Sequence, residues 1–233
     1  AAMITGVTLP IDGGFLARRL SGGGAVYHDE GNLNFTFVCT KENFDVARQT
    51  GVILDAVRRA GIPAESAGRN DITVEGKKFS GNAYYRTAEG CFHHGTLLIS
   101  SDTAEFGRYL TVSNDKLAAK GVDSVRSRVT TLCAINPGLT MDTIKDSLFT
   151  SFQSVYKAPL EPYPEKNIDE KRLSSLEEEI GSWDWKYGRA VPFTAERSRR
   201  FGWGGVEVQL QITGGSVADA AVWTAALDCE IAG

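Results

Sequence analysis

The stretch Arg18-Arg19-Leu20-Ser21-Gly22-Gly23-Gly24-Ala25-Val26-Tyr27-His28-Asp29 brings two guanidiniums, three consecutive glycines and a His-Asp pair into one short window. Glycines let successive backbone N–H groups turn toward an anion with no Cβ in the way, and arginines supply charge-assisted hydrogen bonds to phosphate oxygens. The window therefore suits a loop that closes over a phosphate-bearing ligand, with a tight glycine turn between strands as the plain structural alternative. His28 and Asp29 are adjacent, and neighbours on a strand point to opposite faces, so a local structural role is expected rather than an acid–base dyad.

Three more segments follow in order. Gly68-Arg69-Asn70-Asp71 offers side-chain oxygens that suit a hard cation such as magnesium, or else an Asx turn. Lys78-Phe79-Ser80-Gly81-Asn82-Ala83 sets a lysine among small residues that allow a ligand close to the backbone; a solvated strand lysine beside Lys77 is the alternative. His93 and His94 in HHGTLL lack the spacing and carboxylate partners of a metal site.

Taken together, RRLSGGGAVYHDEGN, GRNDI, KKFSGNA, HHGTLL and AAKGVDSVRSRVT resemble the lipoate–protein ligases, roughly over residues 18 to 225 and with similar spacers. The resemblance implies an α/β (α+β) fold: a mixed, largely antiparallel sheet flanked by helices, biotin/lipoate ligase-like and akin to class II synthetases. It implies ATP-dependent activation of lipoate to lipoyl-AMP, then transfer to a lysine of an acceptor domain. The expected partners are the lipoyl domains of 2-oxoacid dehydrogenase complexes and the glycine cleavage H protein.

By the same resemblance Lys78 is the activating lysine, bridging the α-phosphate and the acyl oxygen. Arg19, Gly24, Ala25, Val26 and Tyr27 contact the nucleotide together with Lys78. Ser21, Gly22, Gly23 and His94 line the lipoyl group, again with Lys78. Asp71 is the candidate for magnesium. Lys120-Gly121 with Ser124 to Arg128 resembles a segment that orders over the adenylate; a mixed anhydride hydrolyses unless water is kept out, so such a closure has a purpose. A Gly-Arg-Gly-Arg adenylate loop, as in biotin ligases, is absent. The alternatives are an ATP-independent octanoyl or lipoyl transferase, for which Cys91 has no activating base in sequence, and a noncatalytic homologue that only binds nucleotide or acceptor domain.

These residues need positioning elements. Leu33 to Val38 reads as a strand, and Gly24 to His28 as its hairpin partner across Asp29-Glu30-Gly31-Asn32. Thr40 is placed to cap a helix carrying Phe44, Ala47, Leu54 and Val57, stopped by Gly61 and Pro63. Residues 71–75, 79–85 and 96–100 read as short antiparallel strands. Thr140 caps a second helix through Ile144, Leu148 and Phe152, and the prolines 159, 162 and 164 then mark a boundary. The expected organisation is a catalytic domain over 18–157, a partial accessory domain over 165–233 and an atypical leader over 1–17. The accessory part is expected to hold a charged helix with Leu173, Leu176 and Ile180, and strands over 206–212 and 217–223. Trp183, Trp185, Phe201 and Trp203 are expected to pack there.

A net charge of −4 with dispersed basic residues leaves no electrostatic footprint for nucleic acid. Cys39, Cys91, Cys133 and Cys229 show no C-x-x-C spacing, which fits reduced thiols in a cytoplasm. No apolar run is long enough to span a bilayer, so no membrane partner is expected. The family's longer N-terminal part, which lines the acyl pocket, is expected to be missing, because only 17 residues precede Arg18. Ile4 to Gly14 is instead similar to a C-terminal segment of short-chain dehydrogenases. The chain is also expected to stop before the family's closing helices.

Overall fold

The computed structural model describes residues 2–5, 17–110, 128–187 and 194–224. Most of the leader, Cys229 and the expected closing segment from Lys120 to Ser127 lie outside the described residues. Two compact units emerge: residues 1–11 with 25–160, and residues 12–24 with 161–233.

The first unit is built on a six-stranded sheet. Its strands are β1 (Ala2–Thr5), β2 (Asn32–Cys39), β3 (Glu65–Ala67), β4 (Asp71–Val74), β5 (Lys77–Arg86) and β6 (Cys91–Leu98), in the order β1-β2-β6-β5-β4-β3 with every pair antiparallel. A parallel bridge from Lys78 to Val129 adds the one parallel contact among the described residues. Helix α1 (Val46–Arg59) and, further on, a second long helix (Met141–Tyr156) belong to the same unit.

Alternation along β2 buries Leu33, Phe35 and Phe37 and leaves Asn34, Thr36 and Val38 on the other face. The buried face packs with Val52, Ile53, Ala56 and Val57 of α1 and with Ile144, Leu148 and Phe152 of the long helix. Asp45, not Thr40, caps α1, accepting from Arg48 N at 2.9 Å, while Thr40 precedes a single 3-10 turn. At its other end Gly61 takes φ +79 and Ile62 N returns to Val57 O at 3.3 Å, which closes the helix. The long helix starts at Thr140 as expected, with Thr143 completing a reciprocal cap.

Gly24 to His28 is not a strand. Both edges of β2 are already taken, by β1 and by β6, so no hydrogen-bonding edge is left for a hairpin partner. Tyr27 instead stacks on Tyr109 (centroids 5.2 Å apart) of helix α2 (Thr103–Tyr109) and tilts against Phe106. Asp29 accepts from Gly31 N at 3.0 Å and from Asp102 N at 2.9 Å, and His28 Nδ1 meets the Asn32 carboxamide. The His-Asp pair is thus structural, a turn lock rather than a dyad.

After a short helix α3 (Leu132–Ile135) comes α4, the long helix Met141–Tyr156. The second unit holds α5 (Glu170–Gly181), α6 (Trp183–Tyr187) and a separate antiparallel sheet of β7 (Ala195–Phe201), β8 (Gly204–Thr213) and β9 (Ser216–Thr224). Strand β7 is an element the sequence reading did not foresee. Leu173 and Ile180 on α5 are exposed. No described helix is long and apolar enough to cross a membrane.

Candidate functional site

The glycine-rich loop belongs to the second unit. The Arg18 guanidinium donates to Lys186 O at 2.7 Å and lies over the Trp223 ring, while Trp185 Nε1 donates to Arg18 O at 2.9 Å. Arg19 turns onto its own loop: Nη2 donates to Gly22 O at 2.9 Å and to Gly24 O at 2.7 Å. Its guanidinium thereby clasps the Gly22 and Gly24 carbonyls, and burial lowers its pKa from the ordinary value. Ser21 is buried, and Gly23 takes φ +105, a conformation a side chain would strain. Ala25 and Val26 are exposed and begin the other unit.

Lys78 sits in the first unit, where strand pairing decides its direction. Asp71 pairs with Gly81 and Ile72 with Ser80, but Thr73 pairs with Lys78, so Phe79 is the extra residue of a bulge. Phe79 and Ser80 are consecutive and both fully buried. Strict alternation would send Lys78 inward with Ser80 and Asn82; the bulge moves it to the face of Gly81 and Ala83. His94 pairs with Ala83, and Thr96 Oγ1 accepts from Gly81 N at 3.5 Å, so both share that face, opposite the helices.

Two contacts fix the ammonium. Lys78 Nζ is 2.7 Å from Asp71 Oδ1, and the other oxygen of that carboxylate pairs with Arg128 Nη2. Asp71 is 10% exposed and Lys78 26%, so the charges meet with limited solvent screening. Thr130 N donates to Lys78 O at 2.9 Å, which docks the chain around Arg128 against the start of β5. The hairpin before Lys78 turns through Glu75 and Gly76, at φ +51 and +73, the paired positive values of a tight two-residue turn.

Behind this face lies a polar rod that the sequence reading did not assemble. His93 is fully buried, with Nε2 2.9 Å from Asn82 Oδ1 and Nδ1 3.1 Å from the Gln49 carboxamide. Asn82 Nδ2 donates to Asn70 O at 3.1 Å, and Asn70 Nδ2 donates to Asn82 O at 3.0 Å. That exchange orients the Asn82 amide, so a neutral His93 donates from Nε2. Its Nδ1 lies against Gln49 Oε1, and Gln49 Nε2 donates to Cys39 Sγ at 3.7 Å. Burial, with His94 alongside, pushes the His93 pKa down to about 3. The rod ties α1, β6 and β5 to the turn that presents Asp71. Gln49 carried no motif in sequence; a lone polar residue on a helix gives no signal until its partners are known.

Magnesium, which the resemblance implies, does not fit a protein-held site here. Both Asp71 oxygens face cations, and the Asn70 amide is engaged with Asn82. No group of three His, Cys, Asp or Glu among the described residues could hold a metal ion. Asp71 is placed instead as the counter-ion of two cations.

The chain is 37% identical over 225 residues to a lipoate-protein ligase A of Psychrobacter cryohalolentis, covering 93% of this chain and 66% of that protein. The structure of P. falciparum LipL1 in complex with lipoate superposes with a TM-score of 0.78 at 28% identity, over 93% of this chain and 64% of that one. The bipartite lipoate protein ligase of Thermoplasma acidophilum, solved in a study with its E2 lipoyl domain, gives 0.63 at 25%, over 77% of this chain and 73% of that one. The chain spans just under two thirds of the length of the first two. The family model for the lipoyl protein ligase A/B catalytic domain matches residues 8–153, a stretch that holds both the glycine-rich loop and Lys78, and the chain belongs to that family.

Proposed function

We propose that this chain activates lipoate with ATP and passes the lipoyl group to a lysine of an acceptor domain. A lipoate carboxylate oxygen attacks the α-phosphorus, the bond to the β-phosphate oxygen breaks, and pyrophosphate leaves with lipoyl-AMP formed. The acceptor amine then attacks the acyl carbon, loses a proton, and AMP departs. The observation that carries this reading is Lys78, whose ammonium the β5 bulge puts on the sheet face opposite α1 and α4, above a glycine. A positioned cation there stabilises charge on the α-phosphate and acyl oxygen as the bond forms.

The remaining roles are part of the same proposal. Arg19, Gly24, Ala25, Val26 and Tyr27 serve the nucleotide; Ser21, Gly22, Gly23 and His94 serve the lipoyl group. Lipoyl domains of 2-oxoacid dehydrogenase complexes and the glycine cleavage H protein are the acceptors, in a cytoplasmic setting that suits the free thiols of Cys39, Cys91 and Cys133. An ATP-independent transferase working through Cys91 is disfavoured, since that thiol is 2% exposed and faces inward from β6.

The deciding experiment incubates the chain with lipoate and an apo lipoyl domain, with and without ATP, and weighs the acceptor. A lipoyl mass increment only with ATP is expected. Transfer from an octanoyl or lipoyl donor without ATP would make it a transferase, and binding without any increment would make it noncatalytic.

A further inference from the structure

Cys39 and Cys91 stand directly opposite each other where β2 ends and β6 begins. Opposed residues on neighbouring strands point to the same side of the sheet with Cα atoms about 4.5–5.5 Å apart, inside the span of about 4.4–6.8 Å that a disulfide bridges. The next pair on that side, Phe37 and His93, has the same alignment, with ring centroids 5.6 Å apart. Both cysteines carry free thiols. Cys91 is buried, whereas Cys39 is half-buried and precedes the exposed Thr40, and the exposed turn from Thr87 to Glu89 leads into Cys91. Strand ends next to exposed turns open at low cost, which gives Cys39 a route to small solutes.

We propose that Cys39 and Cys91 form a reversible dithiol–disulfide pair that closes when small-molecule disulfides such as oxidised glutathione accumulate. The pair lies on the side of the sheet that carries Phe35 and Phe37, opposite Lys78, and needs no step of the acyl chemistry. The Cys39 thiolate attacks one sulfur of oxidised glutathione, the S–S bond breaks, and one glutathione thiolate leaves. The Cys91 thiolate then attacks Cys39 Sγ in the mixed disulfide, and the second glutathione leaves. Two protein thiols are oxidised, one glutathione disulfide is reduced to two thiols, and the protons released by the cysteines end on glutathione. Cys39 is the entry thiol because it reaches solvent, and Cys91 is the resolving thiol because burial leaves it to its neighbour. Burial also raises the Cys39 pKa, so exchange at neutral pH is slow. Closure turns Cys39 Sγ away from Gln49 Nε2, which donates to it at 3.7 Å in the reduced chain. Cys133 stands outside the pair, donating its thiol to Leu139 O at 3.3 Å.

The test equilibrates the full chain, native and in urea, with mixtures of oxidised and reduced glutathione, blocks the remaining thiols with an alkylating agent and maps the linkages by peptide mass. A Cys39–Cys91 disulfide is expected in the native chain, with an effective thiol concentration at least about tenfold above that in urea, because the paired strands hold the two sulfurs together. Cys91→Ala should stop at a glutathione adduct on Cys39, Cys39→Ala should leave Cys91 free, and Cys133→Ala should behave as wild type. Equal effective concentrations in the native and urea-unfolded chains would overturn the pair. So would a native wild type that accumulates the Cys39 adduct, joins either cysteine to Cys133 or Cys229, or keeps all its thiols free under conditions that oxidise the unfolded chain. If Cys91→Ala does not fold, the wild-type linkage map and the ratio between native and unfolded chains decide alone.

Discussion

A Cβ on Gly81 would stand 2.7 Å from Lys78 Nζ and 2.9 Å from Lys78 Cε. The ammonium rests on bare backbone, and any side chain at Gly81 would displace it. Because the clash meets only the flexible end of a lysine, Gly81→Ala should leave the thermal midpoint nearly unchanged. The rate of lipoate-dependent pyrophosphate release should fall roughly ten- to a hundredfold, the scale of a misplaced catalytic group. A melt and a rate measured on the same sample check both halves.

Gly31 provides the contrast. Its Cβ would lie 2.3 Å from Ser101 N and 2.5 Å from Ser100 C, which is backbone that cannot swing aside. Gly31→Ala is therefore expected to cost about 1–3 kcal/mol of stability through forced backbone shifts. Urea unfolding should register this loss, and a midpoint equal to wild type would contradict it.

Removing the ammonium altogether is a stronger perturbation than moving it. Lys78→Ala should lower pyrophosphate release at least about a hundredfold, and Lys78→Arg should not restore it, because a planar fork cannot reproduce a point charge over Gly81. Near wild-type release by Lys78→Ala would remove Lys78 from the mechanism.

Arg19 braces the loop through the carbonyls of Gly22 and Gly24. Arg19→Ala is expected to raise KM for ATP while kcat changes less, the pattern of lost uniform binding. Lysine cannot clasp two carbonyls as a rigid fork does, so Arg19→Lys should behave like the alanine variant. Steady-state kinetics with unchanged KM and lowered kcat would count against the brace.

His93 ties stability to pH. Its folded-state pKa of about 3 lies below the ordinary 6.5, so between those values the unfolded chain takes up a proton that the folded chain refuses. Stability from this group is intact above about pH 6.5 and falls as pH drops toward 3, by about 1.4 kcal/mol per pH unit. His93→Gln keeps a neutral side chain and should lose that slope. Denaturant unfolding of both proteins from pH 7 to pH 4.5 checks this; parallel curves would refute it.

Several parts of this protein were readable from residues alone, because their physics is local. The Thr140 cap followed by apolar residues at helical spacing sufficed for α4, and Gly61 sufficed for the end of α1. Ordered short motifs identified the family, and the resemblance singled out Lys78, with Ser80, Gly81 and Ala83 following it. His28 and Asp29 were expected to be structural on the premise of a strand; they are structural, but in a turn that Asp29 closes through Gly31 N and Asp102 N.

Other features depend on partners distant in sequence. A hairpin strand over Gly24 to His28 satisfies every local rule, yet β1 and β6 occupy both edges of β2, and edge occupancy is a property of the whole sheet. The bulge at Phe79 is equally invisible: two consecutive buried residues arise only once β4 fixes the register, and that register decides whether Lys78 points into the core or onto the open face. In sequence Asp71 had no visible partners; Lys78, 7 positions on, and Arg128, 57 positions on, are the two cations its carboxylate meets. Sequence determined which chemical groups the chain carries, because motifs are local. Tertiary structure decided which way they face and which charges they meet, because both follow from long-range strand pairing.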